Sequence, residues 1–279
     1  MTSTPAPDTI VLIHGLCLTP RSWEHWIDRY TRAGFRVLAP AWPGLEAEVE
    51  QLRADPAPIA RLDITTVVDH YEQIVHDLDR PPIIMGHSYG GMFMQILLDR
   101  GLGAVGVGID SAPVKGVLRM PLSTIRSTFP MLLNPLNRRR AVPLSHEQFH
   151  YAFTNTLDPQ QSGEVYDRYY VPAAGHILFE GALANVTPDT PDHVAFGNED
   201  RAPLLLIAGG DDHLVPPNVT KENAGHYQKS RAITDYVEFP GRSAYTLGQP
   251  GWEEVADYAL NWALTPAAVH SLPDRRVPS

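Results

Sequence analysis

Residues 86–90 of the chain, Gly-His-Ser-Tyr-Gly, place one serine between two glycines at the end of the apolar run 81–88. A serine on a sharp turn between a strand and a helix projects its hydroxyl away from the backbone, where it can attack a carbonyl carbon. Glycine two positions to either side removes the Cβ atoms that would crowd such a turn. The pattern therefore predicts Ser88 as the nucleophile of an acyl-transfer reaction.

A nucleophilic serine needs a base to take its proton and a carboxylate to orient that base. Candidate carboxylates follow two other apolar runs, in the segment GGDDHLVPP at 209–217 and at Asp110.

The elements that would position these residues alternate between strand and helix. Five unbroken apolar runs are typical of buried parallel strands, and a sixth run is more mixed. Between them, apolar residues recur at helical spacing. The predicted strands are 9–15, 35–40, 81–88, 104–110, 203–210 and 233–239, and the predicted helices are 21–34, 63–79, 92–101, 216–230 and one beginning near Trp252. This order predicts an α/β fold with a mainly parallel, doubly wound sheet.

Residues 114–200 interrupt the alternation with proline-rich sequence and short helical pieces. They lie between two predicted core strands, so we interpret them as a helical cap inserted into a core formed by residues 1–113 and 201–279. Apolar cap residues, among them Met120 and Phe129, are candidates for the lining of a substrate pocket.

Composition narrows the possible partners and location. The 279 residues carry a formal net charge of −10, which argues against nucleic acid and anionic membrane surfaces as partners. A single cysteine, Cys17, excludes an intramolecular disulfide and favours a reducing, cytoplasmic setting. The N-terminus does not have the pattern of a signal peptide, and no apolar run is long enough to cross a membrane. The sequence implies neither a metal nor an organic cofactor, and it leaves the oligomeric state open.

Four segments together resemble the α/β-hydrolase fold superfamily, and the likeness covers almost the whole chain. They are LIHGL at 12–16, GHSYGG at 86–91, GGDDHLVPP at 209–217 and EFPGRSAYT at 238–246. The resemblance implies the order serine, aspartate, histidine, with Asp212 as the acid and Asp110 as its rival. It also implies an oxyanion hole formed by the backbone N–H groups of Leu16 and Tyr89, and a histidine in the last segment. Alanine, Ala244, stands at that position.

Four other residues near these segments have both a structural and a chemical interpretation. His14 follows the first strand and is expected mainly to hydrogen-bond its loop, at the edge of the substrate site. Cys17 is expected at the rim of the site, either as a small filler that widens the cavity or as a second nucleophile. We interpret His87 as structural, and His213 as a neighbour of the acid that becomes a base only if it moves.

The resemblance implies hydrolysis of an ester, thioester or lactone through an acyl-Ser88 intermediate, with a small apolar acyl compound as substrate or ligand. Ala244 offers no proton acceptor, so we expect the activity to be disabled, and an engineered inactive variant is the first explanation. A repurposed enzyme that uses the oxyanion hole for other chemistry and a non-catalytic binding protein are the alternatives. We call the turn at residues 86–90, which carries Ser88, the elbow. A serine there argues against epoxide hydrolases and dehalogenases of this fold, which use aspartate as the nucleophile. Perhydrolysis is a further possible reaction, because it uses the same triad.

Overall fold

A computed structural model of the chain describes residues 7–265, and its centre is a six-stranded sheet with every neighbouring pair parallel. The strand order is β2-β1-β3-β4-β7-β8, and a separate antiparallel pair joins β5 to β6. The strands are β1 (Thr9–Ile13), β2 (Arg36–Leu38), β3 (Ile83–His87), β4 (Val105–Ile109), β5 (Ala141–Val142), β6 (Ala173–Ala174), β7 (Leu204–Gly209) and β8 (Thr234–Phe239).

Ten α-helices accompany these strands in the described part of the chain. They are α1 (Glu24–Arg32), α2 (Val49–Ala54), α3 (Ile64–His76), α4 (Tyr89–Asp99), α5 (Leu122–Leu132), α6 (His146–Phe153), α7 (Pro159–Tyr169), α8 (Gly175–Leu183), α9 (Pro217–His226) and α10 (Trp252–Ala263). None of the helices within residues 7–265 is long and apolar enough to span a lipid bilayer.

The sheet is apolar on both faces because helices cover both. In β1, Val11 and Ile13 pack into one core with α3, α4 and α9, whereas Ile10 and Leu12 pack into a second core with α1 and α10. The alternation of side chains along a strand divides an unbroken apolar run between two cores. The predicted α/β fold with a mainly parallel, doubly wound sheet is therefore confirmed.

The glycines of β4 bring α4 close to the sheet. A Cβ atom on Gly106 would lie 2.4 Å from both Met94 Sδ and Leu98 Cδ1, and one on Gly108 would lie 3.2 Å from Met94 Cε. The absence of side chains at these positions lets α4, which begins directly after Ser88, pack against the centre of the sheet. The helix that carries the candidate nucleophile is thus held by the core.

Between β4 and β7 the chain forms four helices, α5 to α8, together with the small β5–β6 pair. We refer to residues 114–200, which the sequence predicts as a helical cap, as the cap segment. Its two N-terminal capping boxes, at Ser145 before α6 and Asp158 before α7, satisfy backbone N–H groups at the helix starts. The ends of the predicted core, residues 1–6 and 266–279, lie outside the described residues.

Candidate active site

Ser88 lies between β3 and α4 and has a backbone conformation that is rare for a residue with a side chain, with φ of 52° and ψ of −121°. The turn is fixed by the neighbouring strand β4, because the Ser88 N–H donates to the Ile109 carbonyl and the Ser88 carbonyl accepts from Ala112. The carbonyl also accepts from Gly91 and Met92 in the first turn of α4. Strain of this kind persists only where surrounding contacts hold it, and it is typical of functional turns.

Three glycines leave the space that this turn requires. A Cβ atom on Gly86 would lie 2.1 Å from the Gly90 carbonyl oxygen, and one on Gly90 would lie 2.1 Å from the Ile13 carbonyl oxygen. A Cβ atom on Gly15 would lie 2.9 Å from the Cβ of Ser88 itself. The loops after β1 and β3 therefore contact each other through backbone.

Two buried aspartates follow the strands beside the elbow. Asp212 lies in the loop after β7, and its Oδ1 accepts from the N–H groups of Leu214 (2.6 Å) and Val215 (3.0 Å). Its other oxygen, Oδ2, is buried without a hydrogen-bond partner among the described residues. Burial and the neighbouring Asp110 hold the pKa of Asp212 well above its ordinary value. The structure thus leaves one carboxylate oxygen of the predicted acid unused.

Asp110, the rival acid, lies at the end of β4, the strand between those of Ser88 and Asp212. Its Oδ1 accepts from the Gly209 N–H at 2.6 Å, and its backbone has a φ of 46°. Burial raises the pKa of Asp110 to about 7. Asp110 therefore helps to hold the end of β7 in place, and it also lowers the tendency of Asp212 to ionise.

The loop after β8 brings Ala244 to the elbow. The Ala244 carbonyl oxygen lies 2.8 Å from Nε2 of His87, the residue before Ser88, and Ala244 itself is buried. The same loop contacts the acid loop, because the Arg242 carbonyl accepts from the Asp211 N–H at 2.8 Å. The loops that carry Ser88, Asp212 and Ala244 thus converge at the carboxyl edge of the sheet.

Two backbone N–H groups remain available next to Ser88. Tyr89 is the first residue of α4, and Leu16 lies in the loop after β1. Neither N–H donates to a carbonyl anywhere in residues 7–265. Backbone donors at a helix N-terminus can stabilise the negative oxygen of a tetrahedral intermediate. Both N–H groups thus remain free to donate, and the oxyanion hole formed by Leu16 and Tyr89 stays a prediction.

A cavity of about 170 Å³ opens beside Ser88, between the core and the cap segment. Cys17, Met120 and the candidate oxyanion residues contribute to its lining, whereas Phe129 and His14 do not. Phe129 is 53% exposed on the outer surface of the cap, and His14 is fully buried. Most of the remaining lining is apolar: Met92, Ala112, Val117, Met131, Phe153, Leu178, Leu214 and Val215 are among these residues.

Sequence patterns did not identify most of these lining residues. Val215 and Leu214 follow the acid within the GGDDHLVPP segment, so their position was readable from that motif. Asn185, which also lines the cavity, gives no sequence signal; its side chain bonds the backbone at Gly116 and Val117. The cavity is thus lined by motif residues of the core together with cap residues far from any motif.

None of the three histidines near the site occupies the position of a base for Ser88. His14 stacks on Trp42 with ring centroids 4.7 Å apart, and its Nδ1 lies 3.0 Å from the Gly15 carbonyl oxygen. Burial lowers the pKa of His14 to about 3 and that of His87 to about 4, so both imidazoles are neutral. His213 Nδ1 lies 2.8 Å from the Tyr151 carbonyl oxygen in the cap segment.

Cys17 lines the cavity but is poorly suited to nucleophilic attack. It is buried, has a φ of 68°, and its carbonyl accepts from the Val171 N–H at 2.9 Å. Burial raises the pKa of the Cys17 thiol to about 12, so the reactive thiolate is scarce at neutral pH. The geometry favours the interpretation of Cys17 as a small cavity-lining residue. Within residues 7–265, no group of three or more acidic, histidine or cysteine side chains could hold a metal ion.

The fold and the elbow agree with a family assignment. A model of the alpha/beta hydrolase family matches residues 10–264, and the chain therefore belongs to that family. Among curated proteins, none matches the chain.

Solved structures with the same fold include several enzymes. A monoacylglycerol lipase from Paleococcus ferrophilus is 19% identical, with a TM-score of 0.62 over 92% of this chain and 95% of the other. A pyrethroid hydrolase from Sphingobium faniae is 17% identical, with a TM-score of 0.60 over 94% and 99%. A polyneuridine aldehyde esterase mutant with a histidine replaced by alanine is 16% identical, with a TM-score of 0.59 over 92% and 99%. At these identities the similarity shows the fold.

Proposed function

We propose that this protein is a serine hydrolase for carboxylic esters, thioesters or lactones, with Ser88 as the nucleophile and with its base missing. The family and its esterase and lipase neighbours support a hydrolase. The observation that carries the proposal is the strained Ser88 turn, with φ of 52°, which opens into an apolar cavity beside two free backbone N–H groups.

In the proposed reaction, Ser88 Oγ attacks the acyl carbonyl carbon and the N–H groups of Leu16 and Tyr89 stabilise the resulting oxyanion. A base must take the serine proton and then protonate the leaving group. Asp212 Oδ2 is the free oxygen that would orient an imidazole carried at position 244. With Ala244 at that position, the serine hydroxyl stays protonated and is a weak nucleophile.

The loss can be expressed as a rate. Removal of the triad histidine lowers kcat by about 10⁶ in the serine protease where all three residues have been tested. That factor corresponds to about 8 kcal/mol of transition-state stabilisation. The loss of activity that we propose thus follows from Ala244 alone.

We further propose that Ala244 is an introduced substitution. Natural loss of activity would have relaxed the constraints on the elbow glycines and on Asp212, yet these residues retain the geometry described above. The structurally similar polyneuridine aldehyde esterase mutant carries the same kind of exchange, from histidine to alanine.

The substrate we propose is a neutral ester with a short apolar acyl group. The cavity of about 170 Å³ is smaller than the roughly 300 Å³ at which pockets for drug-sized ligands begin. Its one charged lining residue, Arg119, is paired with Glu222 at 3.2 Å. The single buried thiol fits the reducing cytoplasm that we propose as the location.

The test is steady-state hydrolysis of p-nitrophenyl esters of two to twelve carbons by the parent chain, Ala244→His and Ala244→Gln. Glutamine fills a comparable volume without supplying a base, so it is the matched control. We expect kcat/KM for Ala244→His to exceed that of the parent by at least ~10³-fold, with short esters preferred, and Ala244→Gln to remain at the parent level.

The alternatives give different results in the same experiment. A repurposed enzyme or a binding protein would gain no hydrolysis from Ala244→His, and either outcome would contradict the proposal. A gain that survives Ser88→Ala in the Ala244→His background would contradict the role of Ser88. Circular dichroism melting of each variant verifies that it is folded.

A further inference from the structure

Large apolar side chains that are exposed to solvent are concentrated on the cap segment. Of the ten such side chains in the described part of the chain, nine belong to residues 114–200, and Tyr258 in α10 is the exception. Their exposed fractions range from 37% for Ile125 to 84% for Leu122. Soluble monomers seldom expose so many large apolar side chains in one region without a partner.

One face of helix α5 contacts the cavity, and another is exposed to solvent. Thr124, Thr128 and Met131 face the cavity beside Ser88. At 100° per residue, the exposed residues of this segment fall on the opposite side of the helix, within an arc of about 80°. These residues are Leu122, Ile125, Phe129 and Leu133.

The exposed residues continue to the mouth of the cavity. Leu118 and Met120 are 71% and 62% exposed, and both also line the cavity. Asn185 bonds the backbone at Gly116 and Val117, which places the exposed Val186 beside them. We call the exposed apolar surface formed by Leu118, Met120, Leu122, Ile125, Phe129 and Leu133 the cap face. Through Leu118 and Met120 it is continuous with the lining of the cavity beside Ser88.

Positive charge accompanies the cap face, in contrast to the rest of the protein. From residue 111 to residue 146 the sequence has no aspartate or glutamate, and it has six lysines and arginines, although the whole chain carries a net charge of −10. Arg119 is paired with Glu222. Arg126 and the three arginines at 138–140 are exposed and form no ion pair within residues 7–265.

These arginines lie beside the apolar surface. Arg126 is on α5 itself, with its guanidinium 4.0 Å from the centre of the Tyr151 ring. Arg138–Arg140 follow the helix, and Asn137 fixes that turn to its end by donating to the Met131 carbonyl at 2.8 Å. Apolar side chains bordered by unpaired arginines match a bilayer of anionic phospholipid, in which the aliphatic groups enter the interface and the guanidinium groups meet the phosphates.

We propose that the cap face docks onto the surface of an anionic phospholipid bilayer and that the entrance of the Ser88 cavity then faces the lipid. The negative net charge does not prevent this, because charges separated by more than about 8 Å of physiological buffer are largely screened. The cap segment therefore presents its local positive charge to the membrane. Docking needs no turnover, so it is independent of the proposed hydrolase activity.

The test is co-sedimentation of the parent chain with large unilamellar vesicles, either of phosphatidylcholine alone or with 30% phosphatidylserine. We expect binding to the anionic vesicles, at least tenfold weaker binding to the neutral ones, and loss of binding as salt is raised from 50 to 500 mM. Leu122→Glu/Phe129→Glu should weaken binding at least tenfold, and Arg139→Glu/Arg140→Glu should do the same.

Matched controls separate the cap face from a general effect of charge. Tyr258→Glu introduces a charge at the exposed apolar residue outside the cap, and Arg36→Glu/Arg61→Glu changes the net charge as much as the double arginine variant. Both controls should bind like the parent. Equal effects of controls and cap variants, or no binding to anionic vesicles, would overturn the proposal. A parent dimer that Leu122→Glu/Phe129→Glu dissociates, seen by sedimentation velocity, would instead assign the face to a second copy.

Discussion

From the buried carboxyl of Asp110 we expect the stability of this protein to fall as pH rises from about 4 to about 7. Burial raises the pKa of Asp110 from its ordinary value of 3.8 to about 7, so the folded chain holds this proton more tightly than the unfolded chain does. Between those two pKa values the folded state binds more protons, and the free energy of unfolding therefore decreases with increasing pH. Well below pH 3.8 both states are protonated and the penalty is absent.

The size of the effect follows from the two pKa values. A change from 3.8 to about 7 at 1.36 kcal/mol per pKa unit gives about 4 kcal/mol at pH 8. Asp110→Asn removes the titration and keeps an oxygen to accept from Gly209, and asparagine tolerates the positive φ of 46°. Because Asp110 also raises the pKa of Asp212, the same substitution eases ionisation of the second carboxyl.

Urea unfolding of the parent and Asp110→Asn between pH 4.5 and 8.5 measures this difference. We expect the variant to gain up to about 4 kcal/mol over the parent at pH 8, and the gain to fall to about 1 kcal/mol at pH 4.5. Asp189→Asn is the matched control, since Asp189 also has a positive φ, 48°, but an exposed carboxyl. It should follow the pH profile of the parent. A constant difference between Asp110→Asn and the parent at every pH would refute the reasoning.

Three further predictions concern the elbow and its surroundings. Gly90→Ala places a Cβ 2.1 Å from the Ile13 carbonyl oxygen and should destabilise the fold by several kcal/mol in urea unfolding. As the control, Gly163→Ala adds a Cβ where α7 has open space and should stabilise the fold by up to about 1 kcal/mol. Ser88→Gly should raise the unfolding free energy by about 1–3 kcal/mol by relieving the positive φ, and Ser88→Ala should not; equal values would contradict the strain. Burial raises the pKa of the Cys17 thiol from 9.0 to about 12, so at pH 8 iodoacetamide should alkylate Cys17 about a thousandfold more slowly in the folded chain than in the urea-unfolded chain. Intact mass follows the reaction, and comparable rates in the two states would show an accessible thiolate.

The sequence was most informative about the sheet. Its four central strands coincide with the unbroken apolar runs, because a strand buried on both faces carries apolar residues at every position. The sixth run was mixed because β8 lies at the edge of the sheet, where only Phe239 is buried. The predicted helix at 21–34 proved to be a short 3-10 turn, Pro20–Trp23, followed by α1. Helix boundaries depend on local caps that apolar spacing does not record.

The site was only partly predictable. The motifs located the loops that converge, because each motif follows a strand whose end lies at the same sheet edge. They did not show which cap residues enter the cavity. Apolar residues lie on more than one face of helix α5, so its sequence did not indicate that Met131 faces the cavity and Phe129 the solvent. Burial of Asp110 beside Asp212 was equally hidden, since it depends on the order of β3, β4 and β7.

Trapping the acyl-enzyme tests most directly whether Ser88 is a competent nucleophile that lacks its base. The parent chain and Ala244→His would be mixed with p-nitrophenyl butyrate, quenched in acid within seconds, and analysed by intact mass and peptide mapping. We expect one butyryl group per chain on Ser88 in Ala244→His, and far less in the parent. Acylation at another residue, or no acylation of the folded Ala244→His variant, would contradict it.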